Sequence, residues 1–192
     1  MSKNTFFCSN DRFVEYSVLI WYGKADLMKK RKEFENCFSD YINHPKVGEM
    51  KNYSHHGINR YDHSYRVALH TYRITKMFHL NYKSATKAAI LHDFFLDEVA
   101  DKNAIERLTD HPDIAVYNAK KYFNINEMEE DIIKKHMFPI TSSPPKYVEG
   151  WIVDFVDDYV SIFERIKSFS SSVKYSFLSN FIFVIVFLKS II

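Results

Sequence analysis

Along the middle of the chain apolar residues recur at helical rather than alternating intervals, and only four glycines and five prolines interrupt them. The pattern predicts helices joined by short breaks rather than a turn-rich β architecture. From Leu27 to Tyr41, the residues Met28, Phe34, Cys37, Phe38 and Tyr41 fall roughly on one side, as in a surface helix with one buried stripe, and Pro45 ends it. After the polar stretch NYSHHGINRYDH, the residues His63, Val67, His70, Ile74 and Met77 alternate steps of four and three and trace one helical face.

Ser84 is placed to cap the next helix, in which Ala85, Ala88, Ala89 and His92 share a face and the alanines admit a close neighbour. A further helix is expected to open at DHPDIAVYNAKKYF with Pro112 as its first residue, His111 just outside it, and Ile114, Tyr117 and Lys121 marking its faces. Asn126 and Glu129 form a capping-box pair for NEMEEDIIKKH, whose Met128, Ile132 and His136 line one side before Pro139. The run from Val148 to Ile166 reads as a long buried helix. One stripe is Val148, Ile152, Phe155, Tyr159, Ile162 and Ile166; another is Val153, Val156, Val160 and Phe163.

These elements amount to an all-α, single-domain helical bundle over 31–168, preceded by an extension at 1–30 and followed by a hydrophobic tail at 169–192. A chain of 192 residues is long enough for one real core and short for two. The tail's apolar part, Phe177 to Ile192, contains Ser179, Asn180, Lys189 and Ser190 and falls short of the ~20 residues that span a bilayer. A packed helix or a homodimer contact is therefore favoured over membrane insertion, which would make the protein membrane-associated.

The balance of 26 basic and 24 acidic residues gives no broad field for a nucleic-acid backbone, so no nucleic-acid partner is expected. The basic run at 29–33 reads as a solvated helical face. Cys8 and Cys37 make a poor disulfide framework and lack the spacing of a thiolate zinc site. With no basic start or small-residue cleavage site of a secretory signal, a cytoplasmic location is expected.

Chemistry enters through acids and imidazoles on apolar helices. Asp157, among Val153, Val156, Val160 and Phe163, is costly to bury as an unpaired ion and needs a partner. His63, the His92-Asp93 pair and His136 come from other helices at core-facing positions, with His111 near a helix start. Taken singly, each reads as part of a hydrogen-bonded buried network. Convergence on one cavity would answer the charge problem with a divalent ion such as iron, manganese, zinc, cobalt or nickel.

The segments RYDHS at 60–64, ILHDFF at 90–95 and WIVDFVDD at 151–158 together resemble the H…HD…D pattern of HD-domain metal-dependent phosphohydrolases, over roughly residues 45–166. The resemblance implies that His63, His92, Asp93 and Asp157 ligate one metal, with the choice between Asp157 and Asp158 open. It also implies that His111 and His136 hold a second ion in some branches, so that one or two ions bind per chain. Asp93 would orient the attacking water or take its proton. Arg60, three residues before His63, is a candidate phosphate contact by placement, as are Lys134 and Lys135 near His136. The implied activity is hydrolysis of a phosphomonoester or phosphoanhydride on a nucleotide or related small phosphorylated metabolite. The competing reading is a non-catalytic nucleotide- or metal-binding regulatory module. His55 and His56 read as a solvated turn, and His44, His70 and His79 as structural.

Overall fold

The computed structural model describes residues 24–55, 58–96, 104–141 and 143–168. The extension up to residue 23 and the tail from 169 lie outside them. The chain divides into two units, 1–37 and 38–192. The described part of the first is helix α1, Lys24–Cys37, along which the pairs Lys30–Asp26 and Arg31–Glu35 bridge successive turns. Its buried side chains are Leu27 and Phe34, whereas Met28 and Cys37 are exposed. The expected stripe is thus rotated, because Leu27 and Phe34 stand two full turns apart on one face while Met28 is displaced by about 100°.

Among its described residues the second unit is all-α apart from one two-residue antiparallel pairing. Short helices α2 (Ser39–Ile42) and α3 (Pro45–Gly48) and a 3-10 turn (Glu49–Asn52) lead to strands β1 (Ser54–His55) and β2 (Ile58–Asn59). Pro45 begins α3 rather than ending the helix before it, with the His44 ring capping the Lys46 amide at 3.3 Å. The long helices follow: α4 (Arg60–Met77), α5 (Tyr82–Leu91), α6 (Ala104–Tyr122), α7 (Glu127–Lys135) and α8 (Val148–Ser168).

Helix α4 is the central element, packing mainly on α5 and then on α8, while α7 rests on α5 and α6. Ala85, Ala88 and Ala89 are fully buried on α5, and their small side chains let the α4 backbone come close. The buried face of α4 begins as expected with His63 and Val67 but continues through Thr71, Tyr72 and Thr75. Met77 is exposed, because the buried face runs in steps of four through Thr71 and Thr75 rather than in alternating steps of four and three. The Thr75 hydroxyl is satisfied inside the helix by the Thr71 carbonyl at 2.7 Å. Helix α4 ends in a Schellman motif: His79 is left-handed at φ 56°, and the amides of Leu80 and His79 bond to Thr75 O and Lys76 O. That is the structural role of His79.

Three helix starts can be compared with expectation. The capping box of Asn126 and Glu129 forms in both directions, at 2.9 and 3.0 Å. The cap of α5 is Asn81 rather than Ser84, since the Asn81 side chain accepts from the Ser84 amide. Helix α6 opens at Ala104, not at Pro112, which lies inside it. His111 is therefore a helix-interior residue on the buried face with Ala115 and Ala119, whereas Tyr117 is exposed. On α8, Val153, Val156 and Val160 are buried, but Val148 and Phe155 from the other expected stripe face solvent. No helix among the described residues is long and apolar enough to cross a membrane.

Candidate metal centre

Local helix geometry sets each imidazole. The Asn59 side chain caps α4 by accepting from the Asp62 amide at 2.8 Å, which places His63 in the first turn of a helix whose inner face is already committed to the core. His92 and His136 are the C-caps of α5 and α7. Each donates Nδ1–H to a carbonyl three residues back, His92 to Ala89 at 2.8 Å and His136 to Ile133 at 2.7 Å. Those bonds satisfy carbonyls orphaned at a helix end and leave the lone pair on Nε2. His63 Nδ1 is likewise engaged, by Glu164 Oε2 at 2.8 Å.

The Nε2 edges of these rings converge with two carboxylates. Asp157 Oδ1 lies 2.8 Å from His63 Nε2 and 3.7 Å from His92 Nε2. Asp93 Oδ2 lies 3.9 Å from His92 Nε2, and its Oδ1 lies 3.4 Å from His111 Nε2 and 3.7 Å from His136 Nε2. Two overlapping ligand sets result, His63–His92–Asp157 and His92–Asp93–His136, each with its donor atoms within 4.8 Å of one another. His111 extends the second set, its Nε2 standing 3.0 Å from that of His136. Between Asp157 and Asp158, it is Asp157 that makes these contacts.

Burial and charge sharpen the picture. His63, His92 and His136 are at most 2% exposed. Burial works to depress His63, but the hydrogen bonds it donates to Asp157 and Glu164 outweigh it and raise the ring to about 10. His92 is also raised, since burial is overcome by the charges of Asp93 and Asp157. Burial together with the neighbouring His92 and His111 pushes His136 down to about 3. Burial opposes ionisation of Asp157, yet His63 and His92 hold its carboxyl well below the usual range.

One atom tests whether this set suits a cation. His92 Nε2 is buried with no hydrogen-bond partner among the described residues, an arrangement that costs about 1–3 kcal/mol if nothing coordinates it. It faces two carboxylates, so the donor set is nitrogen and oxygen without thiolate, as borderline and hard divalent ions require.

Arg60, the candidate phosphate contact, is engaged within the protein. Its Nη1 donates to the carbonyls of Phe95 and of Leu96, and the guanidinium stacks 3.6 Å from the centroid of the Phe95 ring. Only 7% exposed, it clamps the segment after the His92-Asp93 pair. Asn118 supports the same segment by donating to Phe94 O at 3.1 Å. Lys134 and Lys135 are paired with Asp113 and Asp131 at 3.0 and 2.6 Å.

The residue that sequence reasoning missed is Glu164. It is 4% exposed and joined to both His63 and Arg66, the latter at 3.0 Å. The available signal was its position seven residues after Asp157, on the same face of the same helix.

The family model for the HD domain matches residues 60–161, just over half of the chain, and contains every candidate ligand named above. No curated protein and no solved structure gives a match. The match runs over the helices that bring the His63, His92-Asp93 and Asp157 positions together, so the chain belongs to the HD-domain superfamily of metal-dependent phosphohydrolases.

Proposed function

We propose that this protein is a phosphohydrolase acting through a divalent metal ion on a nucleotide or a related small phosphorylated metabolite. The observation that carries the reading is the set of three imidazoles whose Nδ1 atoms are each held by an acceptor while their Nε2 edges meet Asp93 and Asp157. His63, His92, Asp93 and Asp157 hold one ion, and Asp93 with His111 and His136 offers ligands for a second. A bound ion supplies Lewis acidity, lowering the pKa of a coordinated water and offsetting charge on phosphoryl oxygens.

The chain's own groups do the rest. Asp93 turns one oxygen to His92 and the other to His111 and His136 and is 3% exposed, so its carboxylate can orient an attacking water and accept its proton. The carbonyl-bonded Nδ1 atoms of His92 and His136 fix those rings, so the site is organised before substrate arrives. Arg60 and Asn118 tie down the backbone just after Asp93 and hold its carboxylate in register.

The test combines metal analysis of freshly purified protein with turnover of nucleotides and dinucleotides in added manganese, iron or cobalt. One or two ions per chain and phosphate release are expected, and Asp93→Ala should lower turnover by at least ~100-fold, the scale of a general-base loss. Absence of phosphate release from wild type across the panel, or full turnover in Asp93→Ala, refutes the catalytic reading. Altered nucleotide binding without turnover would identify a regulatory module instead.

A further inference from the structure

Helix α8 reaches the centre at two points. Asp157 and Glu164 are two turns apart and close on opposite edges of one ring: Asp157 Oδ1 is 2.8 Å from His63 Nε2, and Glu164 Oε2 is 2.8 Å from His63 Nδ1. Glu164 stands beyond the 60–161 span matched by the HD-domain model. Its second oxygen takes Arg66 Nη1 at 3.0 Å from the exposed side of α4.

A carboxylate this buried needs more than one partner, and Arg66 alone could be paired near the surface without drawing Glu164 inward. The second partner is the ring nitrogen that the centre does not use. His92 and His136 have the equivalent nitrogen bonded to neutral backbone carbonyls, of Ala89 and Ile133, whereas His63 has it bonded to an anion. A charge-assisted acceptor fixes the ring more firmly and makes the opposite nitrogen a stronger donor.

We infer that Glu164 is a positioning residue for the metal centre: it accepts the Nδ1–H of His63, holds the ring at its angle and presents Nε2 to the cation, with Arg66 anchoring the carboxylate. The inference rests on the metal-binding reading above. Its negative charge is part of the role, so glutamine at this position, which keeps an acceptor oxygen, restores only part of it. Arg66 acts indirectly, through the carboxylate it holds.

The experiment measures dissociation constants for zinc and cobalt by chelator competition in wild type, Glu164→Ala and Glu164→Gln, alongside the melting temperature of each metal-free protein. Alanine should weaken binding ~10- to 100-fold, and glutamine should fall between alanine and wild type. The visible spectrum of the cobalt form should change in both variants. Should the alanine variant fail to fold, the glutamine variant decides: a wild-type dissociation constant and cobalt spectrum there overturn the inference. A lower metal-free melting temperature with unchanged metal affinity overturns it too, by reducing Glu164 to a structural ion pair. Wild type that binds neither metal overturns the metal reading itself and this inference with it, which separates the two failures.

Discussion

In the metal-free protein the His63 ring lies between two carboxylates and is raised to about 10, so at neutral pH it carries a proton on each nitrogen. A cation taking the place of the Nε2 proton must displace it. At pH 7 that proton sits about three pH units below its release, a cost of about 4 kcal/mol, or about a thousandfold in apparent affinity. Each unit of added pH removes a tenfold share, so the apparent dissociation constant should fall about tenfold from pH 7 to pH 8.

Neighbouring groups set the proton count. His136 at about 3 and the depressed Asp157 carry no proton to give at neutral pH. Titration calorimetry in two buffers of different ionisation heat should therefore find at least about one proton released per ion at pH 7. Fewer than about half a proton, or an affinity that does not change between pH 6.5 and 8, would refute the reasoning. The stability of the chelated protein follows the same linkage with a definite sign. A ring whose folded pKa is raised from about 6.5 to about 10 stabilises fully below pH 6.5, and the contribution fades as pH climbs through 10.

Two predictions concern the scaffold. His70 is lowered to about 4 by burial and then by Arg73 and Arg66, so the unfolded chain binds the extra proton first. Stability should be complete above about pH 6.5 and decline by at most about 3 kcal/mol down to pH 4, and His70→Gln should flatten that slope in urea titrations across this range. At Gly150, an added Cβ would stand 2.7 Å from Pro145 Cβ, a rigid ring carbon that cannot swing aside. Gly150→Ala should cost about 1–3 kcal/mol in denaturant melts, and a variant as stable as wild type would contradict this close approach of α8 to Pro145.

The parts of this protein that sequence alone made legible are those governed by local rules. The capping box at Asn126 and Glu129, and the helices carrying His63, His92 and His136 to inner faces, follow from spacing and cap chemistry. Where three-dimensional packing decides, spacing misleads. Pro112 looked like a helix start because proline suits a first turn, yet α6 begins at Ala104. Arg60, one turn before His63, also donates to the carbonyls of Phe95 and Leu96, contacts that its spacing along the chain does not reveal.

Glu164 shows the limit most clearly, and also why it matters for the chemistry. In a linear reading it is one more charge near the end of an apolar helix, where exposure is the expected state. Only the pairing of α4 with α8 reveals that the face carrying Asp157 continues for two more turns and meets the far side of the same imidazole. A ligand whose partner comes from the helix that also carries another ligand cannot be moved independently of it. A shift of α8 by even one residue would withdraw both carboxylates from His63 at once. Under the proposed metal-binding reading, the register of α4 against α8 would set the affinity of the centre, and that register is a property of the packed helices rather than of any motif along the chain.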